Sequence, residues 1–241
     1  FLTIIAGSLA RPFGAVLMGL FSDLFGRKII LVTSILTLGL ATSMIGFIPS
    51  SSTIGVGSAI ILLFLRTIQS FSCGTEYLNS TAYLVENAIA SKKGYTGSWA
   101  SFGAMSGKMI ASLVVLAVTF FNNKYPELEW IIWRIPFALA LLGSSIGLYI
   151  RLFIPESLDY IIYYADRPKP KFNYLFTEAF QYIKTNKLQG LYVFFLSCLS
   201  VTTTVQIFIY GPLQAHLYGH FSYSEILISN IIALLVLLCV I

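Results

Sequence analysis

The sequence predicts an all-α polytopic membrane protein with about seven transmembrane helices. Hydrophobic residues make up 57% of the 241 residues and charged residues only 10%, whereas soluble domains carry charge on about 25% of their residues. The mean hydropathy is +0.82, and the apolar residues fall in runs close to the ~20 residues that cross a hydrocarbon core. The interruptions between the runs are short, so there is no room for a sizeable soluble domain.

Hydropathy divides the chain into successive apolar segments. The predicted spans are residues 1–21, 29–48, 57–86, 95–121, 131–154, 188–214 and 225–241. The chain starts at Phe1 within an apolar run, and no polar residues follow its last apolar run, from Ile226 to Ile241. Both termini are therefore expected to be cuts through a longer sequence.

Basic residues are distributed unevenly between alternate loops. The richer loops hold Arg27, Lys28, Lys92, Lys93, Arg151, Arg167, Lys169, Lys171, Lys184 and Lys187, whereas the other loops hold Lys124 and Arg134. Because basic residues are retained on the cytoplasmic side, the richer set is predicted to be cytoplasmic. The formal charge of +5 thus reflects orientation in a membrane. The basic residues form no stripe with interleaved aromatic residues, so nucleic acid is not an expected partner.

The loop between the first two predicted spans carries a distinctive pattern. Residues 19–28 read GLFSDLFGRK, which resembles the loop signature of the major facilitator superfamily. The resemblance implies that Asp23 receives Arg27 or caps the next helix, and that Arg27 and Lys28 hold the loop at the lipid surface. Gly19, Asp23, Gly26, Arg27 and Lys28 are therefore predicted to form a gating loop.

Further motifs follow in order along the chain. They are RPFGAVLMG at 11–19, RTIQSFSCGTEY at 66–77, GYTGSWASFGAMSG at 94–107, WRIPF at 133–137, GLYIRLFIPES at 147–157 and HFSYSE at 220–225. Together they resemble the metabolite:proton symporter family, and especially the proline/betaine transporters, from that family's second span to its eighth. The resemblance implies that residues 1–155 are the remainder of an N-terminal helical bundle, 156–187 a cytoplasmic central linker and 188–241 the start of a C-terminal bundle.

Two polar stripes at helical spacing form the candidate transport site. Arg66, Gln69, Cys73 and Glu76 recur at intervals that keep them on one helix face, and Ser101, Met105, Lys108 and Ser112 repeat the pattern on the next span. Counting from the cytoplasmic ends places Glu76 and Lys108 within about one helical turn in depth. The hypothesis is that Arg66, Gln69, Glu76 and Lys108 take part in substrate or proton coupling. Lys108 or Arg66 would set the protonation of Glu76.

A zwitterionic substrate would suit this site. Arg66 is predicted to meet a substrate carboxylate, and the aromatic faces of Tyr77, Trp99 and Phe102 a quaternary ammonium group. The alternative is a structural ion-pair network that locks two helices together. Replacement of Glu76 by glutamine separates these two interpretations, because only a coupling role changes the pH dependence of uptake.

The resemblance implies a secondary transporter of the bacterial inner (plasma) membrane that takes up proline, glycine betaine or a similar solute with protons. One alternative is a proton symporter of a small organic carboxylate such as a dicarboxylate or shikimate. Another is a non-transporting truncated remnant. The expected partners are the solute, protons, the lipid bilayer and the missing transporter helices.

No motif indicates an enzyme. No cofactor is expected, because a proton gradient is the predicted driving force. His216 and His220, with Glu225 nearby, lack the rest of a first coordination shell, so no metal site is predicted.

Overall fold

The computed structural model describes residues 2–165, 172–207, 211–219 and 221–240. Within these ranges the regular secondary structure is helical and contains no strand, so the predicted all-α class is confirmed. Residues 166–171 of the predicted linker and His220 of the HFSYSE motif lie outside the described ranges.

The helices are numbered in chain order. Their bounds are α1 (Leu2–Phe25), α2 (Arg27–Gly46), α3 (Ser51–Ile54), α4 (Val56–Glu86), α5 (Lys93–Lys124), α6 (Glu129–Ile132), α7 (Ile135–Phe153), α8 (Leu158–Tyr164), α9 (Phe172–Thr185), α10 (Lys187–Val205), α11 (Gly211–Tyr218) and α12 (Tyr223–Val240). Short 3₁₀ turns at Ala90–Lys92 and Pro126–Leu128 precede α5 and α6.

Five described segments are long and apolar enough to cross a membrane. They are Ile5–Phe25, Arg27–Gly46, Val56–Glu86, Ala90–Lys124 and Pro126–Phe153, and they correspond to the first five predicted spans. Where the sixth and seventh spans are predicted, the described apolar helical runs are shorter, Lys187–Leu196 and Ser224–Cys239. The predicted span 188–214 contains parts of two helices, α10 and α11, and residues 208–210 between them are not described.

Packing among the helices divides the chain into two compact units. The first comprises Phe1–Ser101 with Tyr125–Phe172, and the second Phe102–Lys124 with Asn173–Ile241. In the first unit α4 packs against α1 and α2, and α2 also packs against α7. In the second unit α11 packs against α12. Among the described residues, most of the polar contacts between helices lie in the first unit, where the candidate site is built.

The backbones of α1 and α4 touch where the two helices cross. A Cβ atom added at Gly14 would collide with the carbonyl oxygen of Phe71, and one added at Gly74 with the carbonyl oxygen of Arg11. Membrane helices pair through such small residues, because apolar side chains gain nothing by leaving lipid. Thr75 is buried and donates a hydrogen bond to the carbonyl oxygen of Gly14 at 3.1 Å. The crossing therefore fixes α4 against α1.

Small residues also bring α2 and α7 together. A Cβ atom at Gly39 would collide with the side chain of Ser144, and one at Gly147 with the side chain of Ile35. This close approach brings the C-terminal end of α7, with Arg151, alongside α2.

Candidate functional site

A seam of polar side chains joins α2 to α4. The Nε2 atom of Gln69 donates a hydrogen bond to Oγ1 of Thr42 at 2.8 Å. One turn closer to the C-terminal end of α4, the hydroxyls of Ser72 and Thr37 lie 2.8 Å apart. In an apolar solvent each such group needs a protein partner. These hydrogen bonds therefore hold α2 against the face of α4 that carries Gln69 and Glu76.

Glu76 is the charged centre of this seam. Its carboxylate accepts hydrogen bonds from Oγ of Ser34 in α2 at 2.7 Å and from Oγ of Ser80, one turn along α4, at 3.3 Å. Both terminal nitrogens of Arg151, from α7, donate to the same carboxylate. The Nη1 atom of Arg151 also donates to the carbonyl oxygen of Leu31 at 2.6 Å. Three helices thus meet at one ion pair.

The geometry makes this ion pair a strong one. The two side chains keep only 15% (Arg151) and 20% (Glu76) of their areas exposed, and bidentate guanidinium–carboxylate bonding is stronger than a bond between neutral groups. Glu76 lies ten residues before Glu86, the last residue of α4, which is about 15 Å along the helix axis. A carboxylate largely buried among three helices needs its cation and its hydroxyl donors.

A second charged cluster joins the end of α1, the start of α2 and the end of α4, which are predicted to be cytoplasmic. The guanidinium of Arg27 lies 2.8 Å from the carboxylate of Glu86 and 3.0 Å from that of Asp23. It also donates to Oγ of Ser22 at 2.5 Å, and Ser157 donates to Glu86 at 2.5 Å. Of the two contacts expected for Asp23, the structure therefore shows the ion pair with Arg27. Arg27 is directed into this cluster and links the loop to α4.

The turn between α1 and α2 is closed by a carboxylate from beyond α7. Gly26 has φ +104° and ψ 153°, a conformation that is essentially restricted to glycine. A Cβ atom at this position would collide with the carboxylate of Glu156. That carboxylate accepts the backbone N–H of Lys28 at 3.1 Å, at the first turn of α2, where N–H groups lack helical partners. Lys28 Nζ in turn donates to the carbonyl oxygen of Leu152 at 2.9 Å.

Gly26→Ala is expected to destabilise the chain by about 1–3 kcal/mol, the cost of a non-glycine residue in this backbone region. The added methyl group must also displace Glu156 from the amide of Lys28. Gly55→Ala is the matched control, because Gly55 has a positive φ of +58° with nothing within 4 Å of the Cβ position. Thermal unfolding in detergent measures both variants. Equal losses would show that the Glu156 contact adds nothing to the strain of the turn.

The other predicted site residues lie in different surroundings. Arg66 is exposed on α4 and donates to Oε1 of Gln69 at 3.0 Å. The hydroxyls of Tyr77 in α4 and Ser101 in α5 lie 3.2 Å apart, and the ring of Trp99 makes an edge contact with Tyr95.

Three further predicted residues complete the set. Gly19 lies in α1, where a Cβ would make ordinary contact with Leu78. Phe102 and Lys108 belong to the second unit, and Nζ of Lys108 lies 3.8 Å from Sδ of Met105.

The cation bonded to Glu76 is Arg151, whereas the sequence pattern predicted Lys108 or Arg66 in that position. Arg151 lies near the end of an apolar run, where loop charge counting includes it among the predicted cytoplasmic residues. A long guanidinium side chain reaches back along its helix, and only the packing of α7 against α2 shows which way it points. Ser34 and Glu156 were missed for the same reason, because their partners are distant in sequence.

The helical arrangement resembles that of solved membrane transporters. The partially occluded inward-open structure of the xylose transporter XylE from Escherichia coli matches 98% of this chain and 59% of its own, with a TM-score of 0.68 at 19% identity. The major facilitator superfamily proton:xylose symporter XylE bound to 6-bromo-6-deoxy-D-glucose gives the same TM-score, and the match covers 56% of that chain. At this identity the likeness shows the fold alone.

Sequence relatives place the chain within that class. Residues 2–168 match the family described as sugar (and other) transporter, and the chain belongs to this family. A putative metabolite transport protein of Haemophilus influenzae is 37% identical over 163 residues, which is 68% of this chain and 36% of that protein. The proline/betaine transporter of Salmonella typhimurium is 38% identical over 149 residues, 62% of this chain and 30% of that protein. The chain thus spans about a third of the length of these relatives, which are transporters rather than enzymes.

Proposed function

We propose that this chain is part of a bacterial plasma-membrane symporter that takes up a small zwitterionic solute, such as proline or glycine betaine, together with protons. The observation that carries the proposal is Glu76, a carboxylate within the candidate span Val56–Glu86 that is held by Arg151 and two hydroxyls. Ionisable groups inside a membrane span mark substrate or proton pathways by default. The names of the relatives, which include proline/betaine transporters, support the class of solute.

The proposed mechanism uses the same carboxylate in two states. Ionised Glu76 holds α7 through Arg151, and protonated Glu76 releases the guanidinium, so that proton binding biases the packing of three helices. No cofactor takes part, because the free energy comes from the proton gradient.

A symporter of small organic carboxylates is the second candidate. It is favoured by Arg66, an exposed guanidinium within an apolar span, because guanidinium groups bind carboxylates in bidentate geometry. The two candidate functions differ in which unlabelled solutes, zwitterions or carboxylates, would inhibit uptake.

Uptake of radiolabelled proline and glycine betaine tests the proposal. The assay uses a host that lacks its own carriers for both solutes and expresses the gene encoding this chain in full. We expect accumulation that a proton uncoupler abolishes and that excess unlabelled betaine inhibits more strongly than succinate or shikimate. Inhibition by carboxylates alone would favour the second candidate. Absence of accumulation, with the protein present in the membrane, would overturn both.

A further inference from the structure

The helix α9, in the predicted cytoplasmic linker, has two chemically different faces. At ~100° per residue, most of the apolar residues occupy a sector about 160° wide. They are Phe172, Leu175, Phe176, Ala179, Phe180, Tyr182 and Ile183. The opposite side carries Tyr174, Thr177, Glu178, Gln181 and Lys184. Such a pattern belongs to a helix that lies between water and an apolar phase.

The C-terminal half of the apolar face of α9 is open. Phe180 is 65% exposed and Ile183 62% exposed, whereas Phe172, Leu175 and Ala179 are half-buried. In the part of the chain that the structure describes, α9 has no extensive packing against another helix. Its first residue is held, since the ring of Phe172 stacks on that of Phe21 at 5.4 Å.

Neighbouring membrane segments flank α9 at both of its ends. Its first residue, Phe172, stacks on Phe21, near the end of the span that ends at Phe25. At the other end only Asn186 separates α9 from α10, where the sixth span is predicted to begin. The 14 residues of α9 extend about 21 Å, which is too short to cross a hydrocarbon core of about 30 Å.

Charge indicates which surface covers the apolar face. Between residues 167 and 187 the sequence has five basic residues, Arg167, Lys169, Lys171, Lys184 and Lys187, and one acidic residue, Glu178. Basic residues beside an apolar helical face bind the phosphates of anionic lipids on the cytoplasmic leaflet. A further transmembrane helix would lie within the hydrocarbon core, whereas α9 has a polar side that must stay in water.

We propose that α9 is an interfacial helix that binds anionic lipid. Its Phe180 and Ile183 side chains enter the boundary between headgroups and acyl chains, and Lys184 and Lys187 bind lipid phosphate groups. The inference concerns the attachment of the linker to the bilayer, and it holds whichever solute is transported.

Spin-label accessibility in the complete chain tests this inference. Single cysteines replace Phe180, Ile183 or Gln181 after Cys73, Cys198 and Cys239 have been changed to serine, and each variant is placed in vesicles of phosphatidylcholine with phosphatidylglycerol. We expect labels at 180 and 183 to collide with dissolved oxygen and to be shielded from a water-soluble nickel chelate. The label at 181, on the opposite face, is the matched control and should show the reverse preference.

Other outcomes would overturn the inference. Equal access of the nickel chelate to all three labels would place α9 in water. Shielding of 180 and 183 from both oxygen and nickel would show that protein covers the face. For the lipid charge, vesicles of phosphatidylcholine alone, or Lys184→Gln combined with Lys187→Gln, should raise nickel access at 180 roughly fivefold or more. Unchanged access in both conditions would exclude binding of anionic phosphate.

Discussion

Replacing Arg151 with methionine is expected to destabilise the folded chain by about 3 kcal/mol. The change leaves the carboxylate of Glu76 without the guanidinium that donates to both of its oxygens, and breaking a buried pair on one side costs more than the pair contributes. We expect a loss of stability at the lower end of the range for broken buried ion pairs. The reason is that the two side chains keep 15% and 20% of their areas exposed. Denaturant-induced unfolding of the purified chain in detergent measures the loss.

Arg66→Met is the matched control for this prediction. Arg66 is an exposed arginine on α4 whose hydrogen bond runs to Gln69, one turn along the same helix. Its removal should change stability by less than about 0.5 kcal/mol. A loss at Arg151 no larger than that at Arg66 would contradict the assignment of Arg151 as the partner of Glu76.

The double variant Glu76→Leu with Arg151→Met separates stability from transport. Removing both charges leaves no uncompensated charge, so we expect the double variant to be more stable than either single variant. Uptake driven by a proton gradient should nevertheless be lost, because the titratable carboxylate is gone. Full proton-driven uptake by the double variant would make the pair purely structural, which is the alternative that the sequence left open.

Hydropathy predicted most of the membrane helices because the requirement for crossing a bilayer depends only on a short stretch of sequence. A segment must be apolar for about 20 residues and must satisfy its backbone internally, and both properties are visible in a single window of sequence. The first five spans were therefore predicted to within several residues. The stripe of Gln69 and Glu76 was also predicted, since helical spacing alone determines which side chains share a face.

The partners of those side chains could not be predicted from spacing. Whether Glu76 meets Arg66, Lys108 or Arg151 depends on which helices are adjacent, and adjacency follows from contacts at positions such as Gly39 and Gly147. Those glycines lie in apolar runs with no charge to identify them. The sequence singled out charges in the middle of spans, whereas Arg151 reaches Glu76 from near the end of its own helix.

Replacing Gly74 with leucine is expected to destabilise the first unit by more than about 3 kcal/mol. The position of a Cβ atom at Gly74 is already occupied by the backbone carbonyl of Arg11, and backbone in the middle of a helix cannot rotate away as a side chain can. The variant must push α1 from α4 and break the hydrogen bond from Thr75 to Gly14. Gly103→Leu is the control, because nothing lies within 4 Å of a Cβ there and leucine favours a helix by about 1 kcal/mol over glycine. The free energies of unfolding of Gly74→Leu and Gly103→Leu, measured in denaturant, should therefore differ by several kcal/mol. Similar stabilities of the two variants would show that α1 and α4 are not in backbone contact.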